Sequence, residues 1–123
     1  MAVVRYLVDD VDAALAFYAD VLGFERLERW GPPFAMVRHG DLTLWLSGPG
    51  SSAARPLADG RCPAPGGWNR LVLETADLDA LLAKLERAGV RLRGGVVTGP
   101  GGRQALVEDP AGNPVELFEA DKT

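Results

Sequence analysis

The segment Asp10-Val11-Asp12-Ala13-Ala14-Leu15-Ala16 returns 67 residues later as Asp77-Leu78-Asp79-Ala80-Leu81-Leu82-Ala83. In each copy an Asp-x-Asp pair stands ahead of an apolar stripe at helical spacing. Asp side chains accept hydrogen bonds from the orphan N–H groups of a helix start, so both copies read as capped helices. Leu44-Trp45-Leu46 is answered in the same way by Val115-Glu116-Leu117, at an offset of 71. Two repeats in the same order within 123 residues predict a duplicated unit.

Each half reads as β-α-β-β-β. Val3 to Val8 alternates as a strand. Asp10 or Asp12 caps a helix running to about Leu22, with Ala14, Leu15, Tyr18, Val21 and Leu22 on its stripe and Gly23 as its stop. Phe24 to about Arg29 is a second strand, broken by Trp30-Gly31-Pro32-Pro33. Phe34 to Arg38 and Leu42 to Ser47 are joined by His39-Gly40-Asp41, which suits a hairpin. Leu42, Leu44 and Leu46 share one face, and Thr43, Trp45 and Ser47 the other. The second half gives a strand from Arg70 to Thr75. Its helix carries Leu78, Leu81, Leu82, Leu85 and Ala88 on the stripe and stops at Gly89. A short strand spans about Val90 to Arg93, followed by a Gly-rich turn (Gly99 to Gly102) and a strand from Arg103 to Glu108. The boundaries are module one at 1–48, a Gly/Pro/Ser/Ala-rich linker at 49–67, and module two at 68–123. The linker is long enough to be mobile or to cover something. The fold class is α+β, an open, curled mixed sheet around a cleft.

The last strand follows Asp109-Pro110-Ala111-Gly112-Asn113-Pro114. Gly112 and Asn113 tolerate positive φ, and Pro114 sits at a first strand position where a missing N–H does least harm. Val115 and Leu117 then point one way, Glu116 and Phe118 the other. A carboxylate beside an aromatic on one strand face suggests a cavity lining.

Charge and length exclude several partners. The formal net charge is −4, with no dense Lys/Arg cluster, which argues against nucleic acid. No apolar run is long enough to span a bilayer. The single Cys62 has no internal disulfide partner, and the composition suits the cytoplasm. Nothing near Cys62 in sequence would activate its thiol.

Asp109-Pro110-x-Gly112-Asn113 with the following apolar-Glu116-apolar, together with the doubled β-α-β-β-β order, resembles the vicinal oxygen chelate superfamily. Two further stretches agree: Asp12 through Tyr18 on to Leu22-Gly23-Phe24, and Gly99-Pro100-Gly101-Gly102-Arg103-Gln104. That superfamily includes glyoxalase I, extradiol dioxygenases, fosfomycin-modifying enzymes and bleomycin-resistance proteins. The resemblance implies a divalent metal at four strand positions, here Val3, Trp45, Arg70 and Glu116. Val3 and Trp45 offer no lone pair, and Arg70 is a fixed cation. The only histidine, His39, falls in the hairpin turn. The expectation is therefore no metal and no cofactor, closest in character to metal-free bleomycin-resistance-type members. Arg70 and Glu116 are expected to pair with two parallel hydrogen bonds, as a polar anchor or as a plain structural ion pair.

The ligand-binding set expected from the alternating faces is Arg5, Phe34, Met36, Arg38, Trp45, Arg70, Gln104, Leu106, Glu116 and Phe118. Such a lining, mostly apolar with a few polar groups, suits a small molecule. Trp45 is expected to stack on a flat ligand or to plug the cavity. Trp30 and Trp68 flank turns and either rim the mouth or cover core edges. The resulting function is metal-independent binding that sequesters a bulky, partly aromatic compound such as an antibiotic. The resemblance adds a homodimer. The alternatives are a lyase or isomerase using Glu116 or Glu74 as base with Arg70 stabilising an enolate, and a partner module without ligand.

Overall fold

The computed structural model describes residues 2–122. Eight strands form two four-stranded mixed sheets, with β1-β4-β3-β2 in the first and β5-β8-β7-β6 in the second. The strands are β1 Ala2–Leu7, β2 Glu25–Arg29, β3 Phe34–His39, β4 Leu42–Ser47, β5 Leu71–Glu74, β6 Leu92–Gly99, β7 Gly102–Glu108 and β8 Pro114–Ala120. In each sheet the outer first strand runs parallel to the last, and the other pairings are antiparallel. The α+β class and the repeated β-α-β-β-β order expected from sequence are both present. The chain divides into two compact units. One holds residues up to Gly66 with Pro110–Gly112, and the other holds Gly67–Asp109 and Asn113 onward.

The first helix opens as expected. Asp10 is its N-cap, and its Oδ1 accepts from the amides of Asp12 and Ala13 at 2.9 and 3.2 Å. The α-helix α1 is only Val11–Leu15, after which the chain continues as a π-helix over Ala16–Val21. The sequence reading of one regular helix to Leu22 is corrected here. The Leu22 amide reaches back five residues to the Phe17 carbonyl, at 3.0 Å. The wider turn lets two consecutive aromatics, Phe17 and Tyr18, both face inward, 5% and 0% exposed. Tyr18 meets Phe17, Phe24 and Tyr6 edge-on, with centroids 4.9, 5.4 and 6.5 Å away. Such contacts are worth about 0.5–1.5 kcal/mol each beyond area burial, so the aromatic cluster sets the helix geometry. Leu44, Leu46, Ala35 and Val37 supply the sheet side of this core and are buried.

In the second unit Asp77 caps α2 (Leu78–Arg87) through the Ala80 amide at 3.0 Å. A second carboxylate reaches the same end: Glu119 on β8 accepts from the Leu78 amide at 2.7 Å and also pairs with Arg103 at 3.3 Å. The Asp79 and Glu119 carboxylates hold the Arg103 guanidinium's pKa above its ordinary value. Leu78 and Leu85 are buried beneath α2, whereas Ala88, read as part of the stripe, is an exposed C-cap.

Three other boundaries differ from the sequence reading. β6 extends to Gly99, well past Arg93, because it pairs along β7 on both sides of an irregularity at Gly94 and Gly95. His39 ends β3 instead of lying in the turn, with its ring 5.1 Å from that of Phe24. Ahead of β8, only Gly112 uses positive φ, at 88°. Asn113 is held otherwise: the buried Asp109 carboxylate accepts from its backbone N–H at 2.9 Å and its Nδ2 at 3.0 Å.

Candidate ligand-binding site

Strand register sorts the candidate residues without ambiguity. In the first sheet Arg5, Trp45 and Met36 lie side by side across β1, β4 and β3. Phe34 is opposite Ser47, and Arg38 opposite Thr43. All of these alternate with Leu44, Leu46 and Val37, so they occupy the face turned away from the helix. In the second sheet Leu106, Glu116 and Val72 are neighbours across β7, β8 and β5, and Gln104, Phe118 and Glu74 form the next row. Arg70 stands one residue before β5, not within it. Nine of the expected residues thus fall on the non-helical faces of the sheets, five in the first and four in the second, and Arg70 lies just ahead of β5.

The first unit brings three of its five together. The Arg5 guanidinium lies over the Trp45 ring, 5.0 Å from its centroid. Phe34 meets Trp45 edge-on, at 5.8 Å and 75°. Arg5 Nη1 also donates to the Ser47 hydroxyl at 3.3 Å. Beside this stack is an open pocket of ≈ 250 Å³ lined by Arg5, Trp30, Phe34, Ser51 and Ser52. Trp30 therefore borders the pocket, with Nε1 donating to Glu28 at 2.7 Å. Ser51 and Ser52 come from the linker and were not in the expected set. Their only sequence signal was a loop long enough to cover something. Trp45 does not line the pocket itself; it supports Arg5 and Phe34, which do. Arg38 is occupied at the strand edge by Glu25, 2.9 Å away.

The second unit is dominated by ion pairs. Arg70 Nε and Nη2 both donate to Glu116 Oε1, at 3.0 and 2.9 Å. The pair expected from sequence forms, but as a fork closing on one oxygen instead of two parallel bonds. Arg93, missed in the sequence reading, lies over Trp68 at 4.7 Å from the ring centroid and pairs with Glu108 at 2.6 Å. Its Nη1 also donates to the Gly67 carbonyl at 2.7 Å. Trp68 thus covers an arginine.

The donors do not fit the divalent metal that the resemblance implies. Val3 and Trp45 carry no ligand atom, and Glu116 is already bound to a guanidinium whose charge opposes a cation's. Among the described residues no group of three or more His, Cys, Asp or Glu side chains is placed to hold a metal ion. Breaking a buried ion pair on one side costs about 3–5 kcal/mol. Arg70 retains 28% side-chain exposure, so Arg70→Met should destabilise by less, about 2 kcal/mol, in urea unfolding. Adding Glu116→Leu should restore most of that loss. A double variant no more stable than Arg70→Met would show that mutual neutralisation is not what the pair provides.

No curated protein sequence matched significantly. Among solved structures, TnmS3, an antibiotic binding protein from Streptomyces sp. CB03234, is 30% identical, with 97% of this chain and 93% of that one covered and a TM-score of 0.73. A superfamily member from Sphaerobacter thermophilus is 30% identical over 97% and 95%, with a TM-score of 0.76. Lactoylglutathione lyase from Agrobacterium tumefaciens is 26% identical over 97% and 92%, with a TM-score of 0.74. Among the described residues no helix is long and apolar enough to cross a membrane. With a family model matched over residues 1–117 and the doubled β-α-β-β-β sheets in place, the chain belongs to the Glyoxalase/Bleomycin resistance protein/Dioxygenase superfamily.

Proposed function

We propose that this protein binds and sequesters a bulky, partly aromatic small molecule such as an antibiotic, without a metal. The observation that carries this reading is the Arg5–Trp45–Phe34 stack beside the open pocket. Flat, rigid rings backed by a cation make a surface for another flat ring. The 30% identity to an antibiotic binding protein supports the same reading. Metal independence follows from the donor set, in which Arg70 holds the only carboxylate at the projected positions. The protein acts as a homodimer in this reading, because the edge strands β1 and β2 of one sheet and β5 and β6 of the other leave ladder groups for a second copy to cover.

The competing lyase or isomerase reading draws on the likeness to lactoylglutathione lyase. It would need Glu116 or Glu74 to take a proton, and Glu116 is committed to Arg70. Titration of the protein with planar aromatic antibiotics, followed by tryptophan fluorescence, separates the two. Saturable quenching with the compound recovered unchanged by mass spectrometry is the expected result. Recovery of a converted product would replace sequestration by catalysis, and an unquenched spectrum across the panel would remove the stacking site.

A further inference from the structure

The arginines on the non-helical sheet faces are not equivalent. Arg38 is paired with Glu25 at 2.9 Å, Arg70 with Glu116 at 2.9 Å, and Arg93 with Glu108 at 2.6 Å. Arg5 has no carboxylate partner among the described residues. Its one hydrogen bond is from Nη1 to Ser47, a neutral hydroxyl. The contrast with Arg93 is the sharpest, because each guanidinium lies over a tryptophan, at 5.0 Å for Arg5 and 4.7 Å for Arg93. One of these two similar arrangements has its charge cancelled by the protein and the other keeps it. The uncancelled one borders the pocket.

We infer that the compound taken by this pocket is a planar aromatic acid, whose anionic substituent is held by Arg5 while its ring lies against Phe34 and Trp30. This rests on the binding reading above and names the chemistry of its ligand. The guanidinium rests over the Trp45 ring with Nη1 bonded to Ser47, leaving its other N–H groups to donate to a carboxylate or phenolate. Among the described residues no acidic side chain lines the pocket, so an anion there meets one cation, two ring systems and two serines. Ser52 can donate to it. Ser51 already donates to the Gly48 carbonyl at 2.7 Å and serves only as wall.

The test compares anthracene-9-carboxylate with 9-anthracenemethanol, the same ring with and without charge, by calorimetry at pH 7.5. The acid is expected to bind at least about tenfold more tightly than the alcohol, the effect of one hydrogen bond to a charged group. Arg5→Gln should abolish that preference, and Arg5→Lys should keep part of it. Arg5 is exposed on an outer strand, and thermal unfolding of each variant verifies that it folds. Equal affinity for acid and alcohol in the unaltered protein overturns the inference and leaves aromatic binding standing. A preference for the acid that survives Arg5→Gln also overturns it, by placing the anion elsewhere. Failure of both compounds to bind at millimolar concentration removes the aromatic site and this inference with it.

Discussion

Replacing Gly102 by valine should unfold much of the second unit's sheet end, whereas Gly99→Ala should be nearly silent. The two glycines face each other across the β6–β7 hairpin. A Cβ on Gly102 would lie 2.2 Å from the Glu119 carbonyl oxygen, 2.9 Å from Phe118 Cζ and 3.1 Å from the Ala120 Cα. A Cβ on Gly99 meets nothing within 4 Å. The closest obstacle is backbone, so no rotamer relieves it. Overpacking typically costs about 1–3 kcal/mol, and a contact this short against a fixed carbonyl belongs at the top of that range even for alanine. Valine adds two methyl groups and should exceed it. The displaced residue is also Glu119, whose side chain caps α2 and pairs with Arg103. Urea midpoints measure both variants, and the loss of helical signal in Gly102→Val should accompany the loss of the sheet. Equal midpoints for Gly99→Ala and Gly102→Ala would contradict the geometry.

Adjacent residues on β4 should separate folding from binding. Leu44 is fully buried between sheet and helix, and Leu44→Ala is expected to lose about 2–5 kcal/mol through transfer and cavity terms. Trp45 is half-buried on the opposite face, under Arg5 and beside Phe34. Trp45→Ala removes the surface on which both pocket residues rest. It should weaken a planar aromatic ligand by at least about tenfold, ~1.4 kcal/mol, while costing less stability than Leu44→Ala. Trp45→Phe should recover part of the affinity through its smaller ring. Calorimetric unfolding and ligand titration on the same three variants decide the matter. If Trp45→Ala melts like Leu44→Ala and leaves affinity intact, the ring is a plug and the sequestration reading loses its support.

What could be read from the chain beforehand was local. Asp10 and Asp77 cap helices because a short carboxylate before an apolar stripe has little else to do, and Gly23 and Gly89 end them at φ values of 82° and 75°. Alternation placed Trp45, Glu116 and Phe118 on the faces where they are found. What escaped was set by partners distant in sequence. The π-helix exists because Tyr18 must meet Tyr6 and Phe24 at once, a demand the stripe does not encode. The far half of β6 was hidden by Gly94 and Gly95, which interrupt alternation without preventing pairing to β7. Arg93 looked like any strand arginine until Glu108 and Trp68 stood next to it. Ser51 and Ser52 lie in a stretch with no period at all, so only the folded chain brings them beside Arg5.

The order of strands also bears on how the protein is made. In each sheet an inner position belongs to the strand synthesised last: β4 lies between β1 and β3, and β8 between β5 and β7. A ribosome releases β1, β2 and β3 before the strand that joins β1 to the others, and it releases β5 through β7 before β8. Until β8 emerges, β5 has no ladder partner, and the wait spans the whole stretch from Leu71 to Val115. Sheets that depend on such distant pairings nucleate slowly, since loop closure is unfavourable until the contacts form. The first unit can complete its ladder once Ser47 has emerged, while the second remains a helix and a hairpin with an exposed gap. A nascent chain from which β7 but not yet β8 has emerged is therefore where chaperone engagement and aggregation should concentrate.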